Sequence, residues 1–82
     1  MSVDRIDDAT IRLHGVCPIE DAEPLLQCLL ATPRAVVDWS SCDAAHTAVI
    51  QILLVAKPSL RGPPCGGFLR DVVAPLLVHS GD

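Results

Sequence analysis

The segment from Arg34 to Lys57, RAVVDWSSCDAAHTAVIQILLVAK, restricts the fold more than any other part of the chain. It passes from β-branched residues into a long apolar run across a short polar interval. Arg34 to Ser40 reads as a strand with Val36 and Val37 on opposite faces. Neither face is strongly polar, which predicts a central strand with layers above and below it. Ala45 to Ala56 is almost continuously apolar, too long for one strand and far short of the roughly 20 residues that span a bilayer. It is expected to be a helix lying on the sheet. Ser40, Ser41, Asp43, His46 and Thr47 stand at the changeover, expected as a turn. A hydroxyl there meets backbone N–H groups and a helix dipole that favour an added negative charge such as a phosphate. Thr47 is therefore the first candidate for a functional residue.

The flanking segments suit an α/β domain. Ala9 to Val16 alternates Ile11 and Leu13 with Arg12 and His14, the period-two pattern of a half-buried strand. Val3, Arg5 and Ile6 can add a short edge strand across the Asp7-Asp8 turn. From Pro18 the period becomes helical: Ala22, Leu25, Leu26, Leu29 and Leu30 share one face, opposite Glu20, Glu23 and Gln27. Pro24 is tolerated only inside the first turn, and Ala31-Thr32-Pro33 ends the helix. Lys57 to Gly67 is rich in proline and glycine, a loop with at most a short strand at Ser59 to Arg61. Phe68 to Val78 places Phe68, Leu69, Val72, Val73 and Leu76 on one helical arc, with Pro75 expected to kink it and Ser80 to Asp82 expected to fray.

Eighty-two residues form one domain, residues 1–82, and a chain this short buries only about 60% of its unfolded surface. Half the residues are apolar, yet Trp39 and Phe68 are the only aromatics, so the core is aliphatic and built in at least two layers. The expectation is a central sheet of about three to four strands with about three helices on it. Six basic against ten acidic residues leave a net charge of −4, which repels nucleic acid and anionic lipid. No apolar stretch reaches membrane-spanning length and Met1 to Asp8 lacks the pattern of a secretory signal, so a cytoplasmic protein without membrane insertion is expected.

Cys17, Cys28, Cys42 and Cys65 are each separated by ten or more residues, so there is no CxxC. His14 with Cys17 and Cys42 with His46 offer zinc half-sites at no recognised spacing. Reduced cysteines acting as small hydrophobes, with no metal and no cofactor, are the expectation. A thiol-based redox or zinc sensor is the alternative.

On the helical wheel of Ala45 to Ala56, a core face of Ala45, Ala48, Val49, Ile52 and Ala56 leaves His46, Thr47, Ile50, Gln51, Leu54 and Lys57 on the opposite arc. Ile50 and Leu54 then stand among polar neighbours. Either another element covers them, or they form an apolar docking patch for a second copy or another protein.

Two blocks carry a family likeness. Thr10 to Leu30, with Ile11, Leu13, Gly15, Ile19, Ala22, Leu25 and Leu29, and Val37 to Leu54, with His46-Thr47-Ala48-Val49-Ile50, resemble the STAS domain. This is the small α/β module of anti-sigma-factor antagonists, some sulfate transporters and a lipid-transport ABC accessory subunit. The family typically reads Asp-Ser-Ser-Gly-Leu or Asp-Thr-Ala-Gly-Leu in the second block, which puts Thr47 on the hydroxyl that cognate kinases phosphorylate. His46 replaces the usual acid, Val49 replaces the glycine that admits a partner closely, and Pro58 to Gly67 replaces the expected next strand. The resemblance implies a short, divergent, non-enzymatic module that docks a protein through His46, Thr47, Ile50, Gln51 and Leu54. The implied partner is a kinase-like anti-sigma factor or, alternatively, an ABC ATPase.

The remaining polar residues add little. Thr47 can be an ordinary N-cap and His46 a solvated or capping residue. Asp38 is expected to accept hydrogen bonds from the turn after it, and Arg61 and Arg70 to be solvated. His46 with Ser40, Ser41 or Cys42 lacks an oxyanion loop and a third orienting group, so no catalytic residue is assigned.

Overall fold

Alternating aliphatic and polar residues along Thr10 to Cys17 set the layout of the domain. In the computed structural model, which describes residues 2–80 with side chains through Leu77, this segment is strand β2. The expected fraying at Gly81 and Asp82 lies outside the described residues. β1 (Val3–Asp7) pairs antiparallel with β2, and β3 (Val36–Ala45) and β4 (Ser59–Arg61) follow as parallel neighbours. The four-stranded mixed sheet has the order β1-β2-β3-β4, with helices α1 (Ala22–Ala31) and α2 (Thr47–Ala56) as the crossovers and α3 (Ala74–Ser80) after the last strand. The α/β class, the strand count and the three helices agree with the sequence.

Only one face of the sheet is covered. Ile11, Leu13, Cys17, Val37, Trp39 and Cys42 are buried with Leu25, Leu29, Val49, Leu53, Leu69 and Val73 from the helical layer. The other face carries Arg12 and is open, so layers above and below β3 are not what forms. The open face supplies the reason: Asp4, Arg12, Asp38 and Arg61 stand directly opposite one another on successive strands. This row of alternating charge cannot be buried without desolvating all four groups, and opposite charges facing across strands favour this register.

β3 is longer than expected, running to Ala45 instead of ending at Ser40. The Ser40 to Asp43 interval is therefore strand, not turn. Two irregularities let it continue: β3 spends an extra residue between Asp38 and Ser41 and another between Cys42 and Ala44. The first switches the phase, so Val37 and Trp39 face the core and then Cys42 does, leaving both Ser40 and Ser41 exposed.

The prolines are accommodated locally. Pro24 falls in the first turn of α1, after a 3₁₀ turn at Ile19–Asp21, where no helical donor is lost. Ahead of Pro75 the chain takes a π-helical turn, Leu69–Val73, closed by the Ala74 N–H on the Leu69 carbonyl. The wide turn takes up the distortion that Pro75 was expected to show as a kink.

The proline- and glycine-rich loop after β4 runs along β3. Trp39 Nε1–H donates to the Gly62 carbonyl at 2.8 Å, Cys65 Sγ donates to the Ser40 carbonyl at 2.7 Å, and Gly66 N–H donates to the Cys42 carbonyl at 3.1 Å. A Cβ on Gly66 would lie 1.7 Å from the Asp43 carbonyl oxygen, so only glycine permits this approach. No helix among the described residues is long and apolar enough to cross a membrane.

Candidate functional site at the start of helix α2

Parallel strands deliver their loops to one end of the sheet, and here β3 hands the chain directly to α2 through His46 alone. The His46 N–H donates to the Cys17 carbonyl at the end of β2 at 2.8 Å, which fixes where α2 begins. His46 is extended (φ −62°, ψ 150°), and its Nδ1 accepts the Ala48 N–H at 3.0 Å. An accepting Nδ1 carries no hydrogen, so the ring is the Nε2–H tautomer. The cap is therefore His46 and not Thr47, which occupies the first helical position and is exposed. The Thr47 hydroxyl makes no hydrogen bond among the described residues.

The orientation of α2 differs from the wheel read off the sequence. Val49 and Leu53 are fully buried, at 0% and 1% exposure. Ile50, Ile52 and Leu54 flank them, half-buried against the core, while Ala56 is exposed. Centring the helix on Val49 and Leu53 directs Thr47, Gln51 and Val55 outward, four residues apart, and Val55 is 83% exposed. Of the five residues expected to meet a partner, His46, Thr47 and Gln51 are exposed and Ile50 and Leu54 form the shoulder of the face. Periodicity missed this because nearly every residue from Ala48 to Ala56 is apolar; a wheel without polar contrast has no marked direction.

The same ambiguity appears on α1. Leu25 and Leu29 are buried, but Leu26 and Leu30, expected beside them, are exposed. They line a shallow groove of about 250 Å³ with Leu29, Pro33, Ala56 and Pro58. The groove lies at the far ends of α1 and α2 from Thr47.

Ser40, Ser41 and Asp43 do not gather at the helix start. The Ser40 hydroxyl and backbone N–H both donate to Asp38 Oδ1, at 2.7 and 3.0 Å. These bonds, with help from Arg61 and Arg12 across the sheet, hold the Asp38 carboxyl below its usual range. Asp38 thus accepts from the residues that follow it, as expected, within a strand instead of a turn.

The four cysteines are free thiols. Cys17 and Cys42 meet, Sγ to Sγ 3.9 Å, at the inner face of β2 and β3. His14 instead bonds Asp4 at 2.6 Å on the open face, and His46 Nδ1 is used by the cap, so neither zinc half-site assembles. Among the described residues no three or more His, Cys, Asp or Glu side chains converge as a metal would require. No spacing rule could have found the Cys17–Cys42 contact, because it depends on strand register.

Compared with known proteins, the chain matches no family model, no curated protein and no solved structure.

Proposed function

We propose that this chain is a non-enzymatic regulatory module of the STAS kind, which docks a partner protein through the outward face of α2 and is switched at Thr47. The observation that carries the reading is the pairing of an exposed Thr47, left free because His46 caps the helix, with Gln51 and Val55 in line behind it. A phosphate on Thr47 would bring roughly −1.5 to −2 charges to the first turn. That position favours negative charge for the helix itself, while an apolar partner seated near Val55 would have to desolvate it. The switch therefore acts on docking and not on folding. The partner class is a kinase-type anti-sigma factor, and the setting is the cytoplasm.

The test separates binding from stability. A kinase-type partner retained by the immobilised wild-type chain is titrated with Thr47→Ala, Thr47→Glu and Val55→Asp. Thr47→Glu and Val55→Asp should each weaken the complex at least tenfold, Thr47→Ala should change it little, and all three should keep the wild-type melting temperature. Equal effects of Thr47→Ala and Thr47→Glu would reduce Thr47 to an ordinary surface residue. Recovery of an ABC ATPase in place of a kinase would move the chain to the transporter branch of the same family.

A further inference from the structure

The carboxyl ends of β2 and β3 bring together reactive side chains that the docking face does not use. Cys17 and Cys42 are each 0% exposed, and their sulfur atoms touch at 3.9 Å. The contact makes them unequal. The contact with Cys42 draws the Cys17 thiol below its ordinary range, while the same contact and burial push the Cys42 thiol up. Cys17 is thereby the better nucleophile and Cys42 the neighbour that keeps its proton. Asp21, at the start of α1, is 4% exposed, and its Oδ2 has no hydrogen-bond partner among the described residues. Its charge opposes ionisation of the Cys17 thiol and so works against the pull of Cys42.

We propose that Cys17 and Cys42 form a peroxide-sensitive dithiol. The oxidant is hydrogen peroxide, because a neutral molecule little larger than water reaches fully buried sulfur through small local openings that exclude a bulky disulfide. The Cys17 sulfur attacks one peroxide oxygen and gives up its proton. An S–O bond forms, the O–O bond breaks, and the departing hydroxide takes the Cys17 proton to leave as water. The Cys42 sulfur then attacks the Cys17 sulfur, forming S–S and breaking S–O. The second hydroxide leaves as water with the Cys42 proton. Two thiols lose two electrons, and one peroxide becomes two waters.

The closed bond has a structural consequence. In the parallel register Cys17 faces Ala45 and Cys42 faces Gly15, so joining the sulfurs draws the strand ends past each other. The extra residue in β3, Asp43, and the left-handed Gly15 (φ 63°), with open space where its Cβ would be, give the slack. Because the Cys17 carbonyl holds the His46 N–H, oxidation also pulls on the cap of α2. The thiol chemistry itself stands without the docking reading.

The experiment uses the full chain carrying Cys28→Ala and Cys65→Ser, so that only the buried pair can react. Reduced protein is exposed to hydrogen peroxide and followed by intact mass and by tryptic digestion without reductant. The expected product is lighter by two hydrogens, joins residues 13–34 to residues 35–61, and returns to the starting mass with dithiothreitol. In a further Cys42→Ser variant, dimedone should label Cys17; with Cys17→Ser instead, it should leave Cys42 unlabelled. Thiols that stay reduced, or that go to sulfinic acid without a cross-link, would overturn the dithiol.

Discussion

Three consecutive residues of α2 sample three directions around the helix, so truncating each in turn measures its orientation. Leu53 is 1% exposed, Leu54 is half-buried and Val55 is 83% exposed. Leu53→Ala removes three carbons from a filled site at about 0.8 kcal/mol each. The cavity left behind brings the expected loss to about 2.5–5 kcal/mol. Leu54→Ala removes the same atoms from a site already in part hydrated, for about 1–2 kcal/mol. Val55→Ala should stay within about 0.5 kcal/mol of wild type, as surface changes do. A chain of this length has a total stability of roughly 4–12 kcal/mol, so Leu53→Ala consumes about a fifth of it or more. Urea unfolding followed by circular dichroism reads the difference directly: with a slope near 1 kcal/mol per molar, the Leu53→Ala midpoint falls by about 2.5 M or more, and that of Val55→Ala hardly moves. Were Leu54→Ala or Val55→Ala to cost as much as Leu53→Ala, α2 would be rotated from the orientation described, and the docking face would have to be drawn elsewhere.

Other expectations test individual contacts. His46→Ala should lower stability by about 1 kcal/mol through loss of the cap, and His46→Asp should restore it or gain a few tenths because a carboxylate both accepts from Ala48 and suits the helix dipole; thermal melting decides, and equal melting of the two would remove the cap from the account. Asp38 is held below its usual range when folded, so its contribution is present above the unfolded value near 3.9 and is lost as pH falls through the folded one. Asp38→Asn should therefore show a shallower fall in stability below about pH 4 than wild type; parallel pH curves would contradict this. Gly66→Ala forces a Cβ onto the Asp43 carbonyl and should break the Gly66–Cys42 hydrogen bond, for about 1 kcal/mol from the bond alone, with faster amide exchange at Gly66 as the readout.

Much of the architecture could be read along the chain, and the reasons are local. The period-two alternation of Ile11 and Leu13 with Arg12 and His14 marks β2 because one face of the sheet is wet. The Thr32-Pro33 pair ends α1, and Pro24 falls in the first turn, because proline geometry acts within its own neighbourhood. Such signals need no partner. Direction is not legible in segments without polar contrast: the wheel of α2 puts Ala56 on the inner side and leaves Leu53 out, and that of α1 puts Leu26 and Leu30 on the core side, yet Ala56, Leu26 and Leu30 are exposed and Leu53 is buried.

Register was equally out of reach. The row Asp4, Arg12, Asp38 and Arg61 spans 58 positions and exists only because four strands align. The extra residues in β3 turned an expected turn into strand, placed Cys42 against Cys17, and left His46, not Thr47, to cap α2. Composition and periodicity thus determined by themselves that this is an aliphatic α/β domain with a hydroxyl at the head of its middle helix. Which hydroxyl is free, which thiols meet and which leucines face water were decided by tertiary structure, since each depends on how distant segments slide and rotate against one another before they lock.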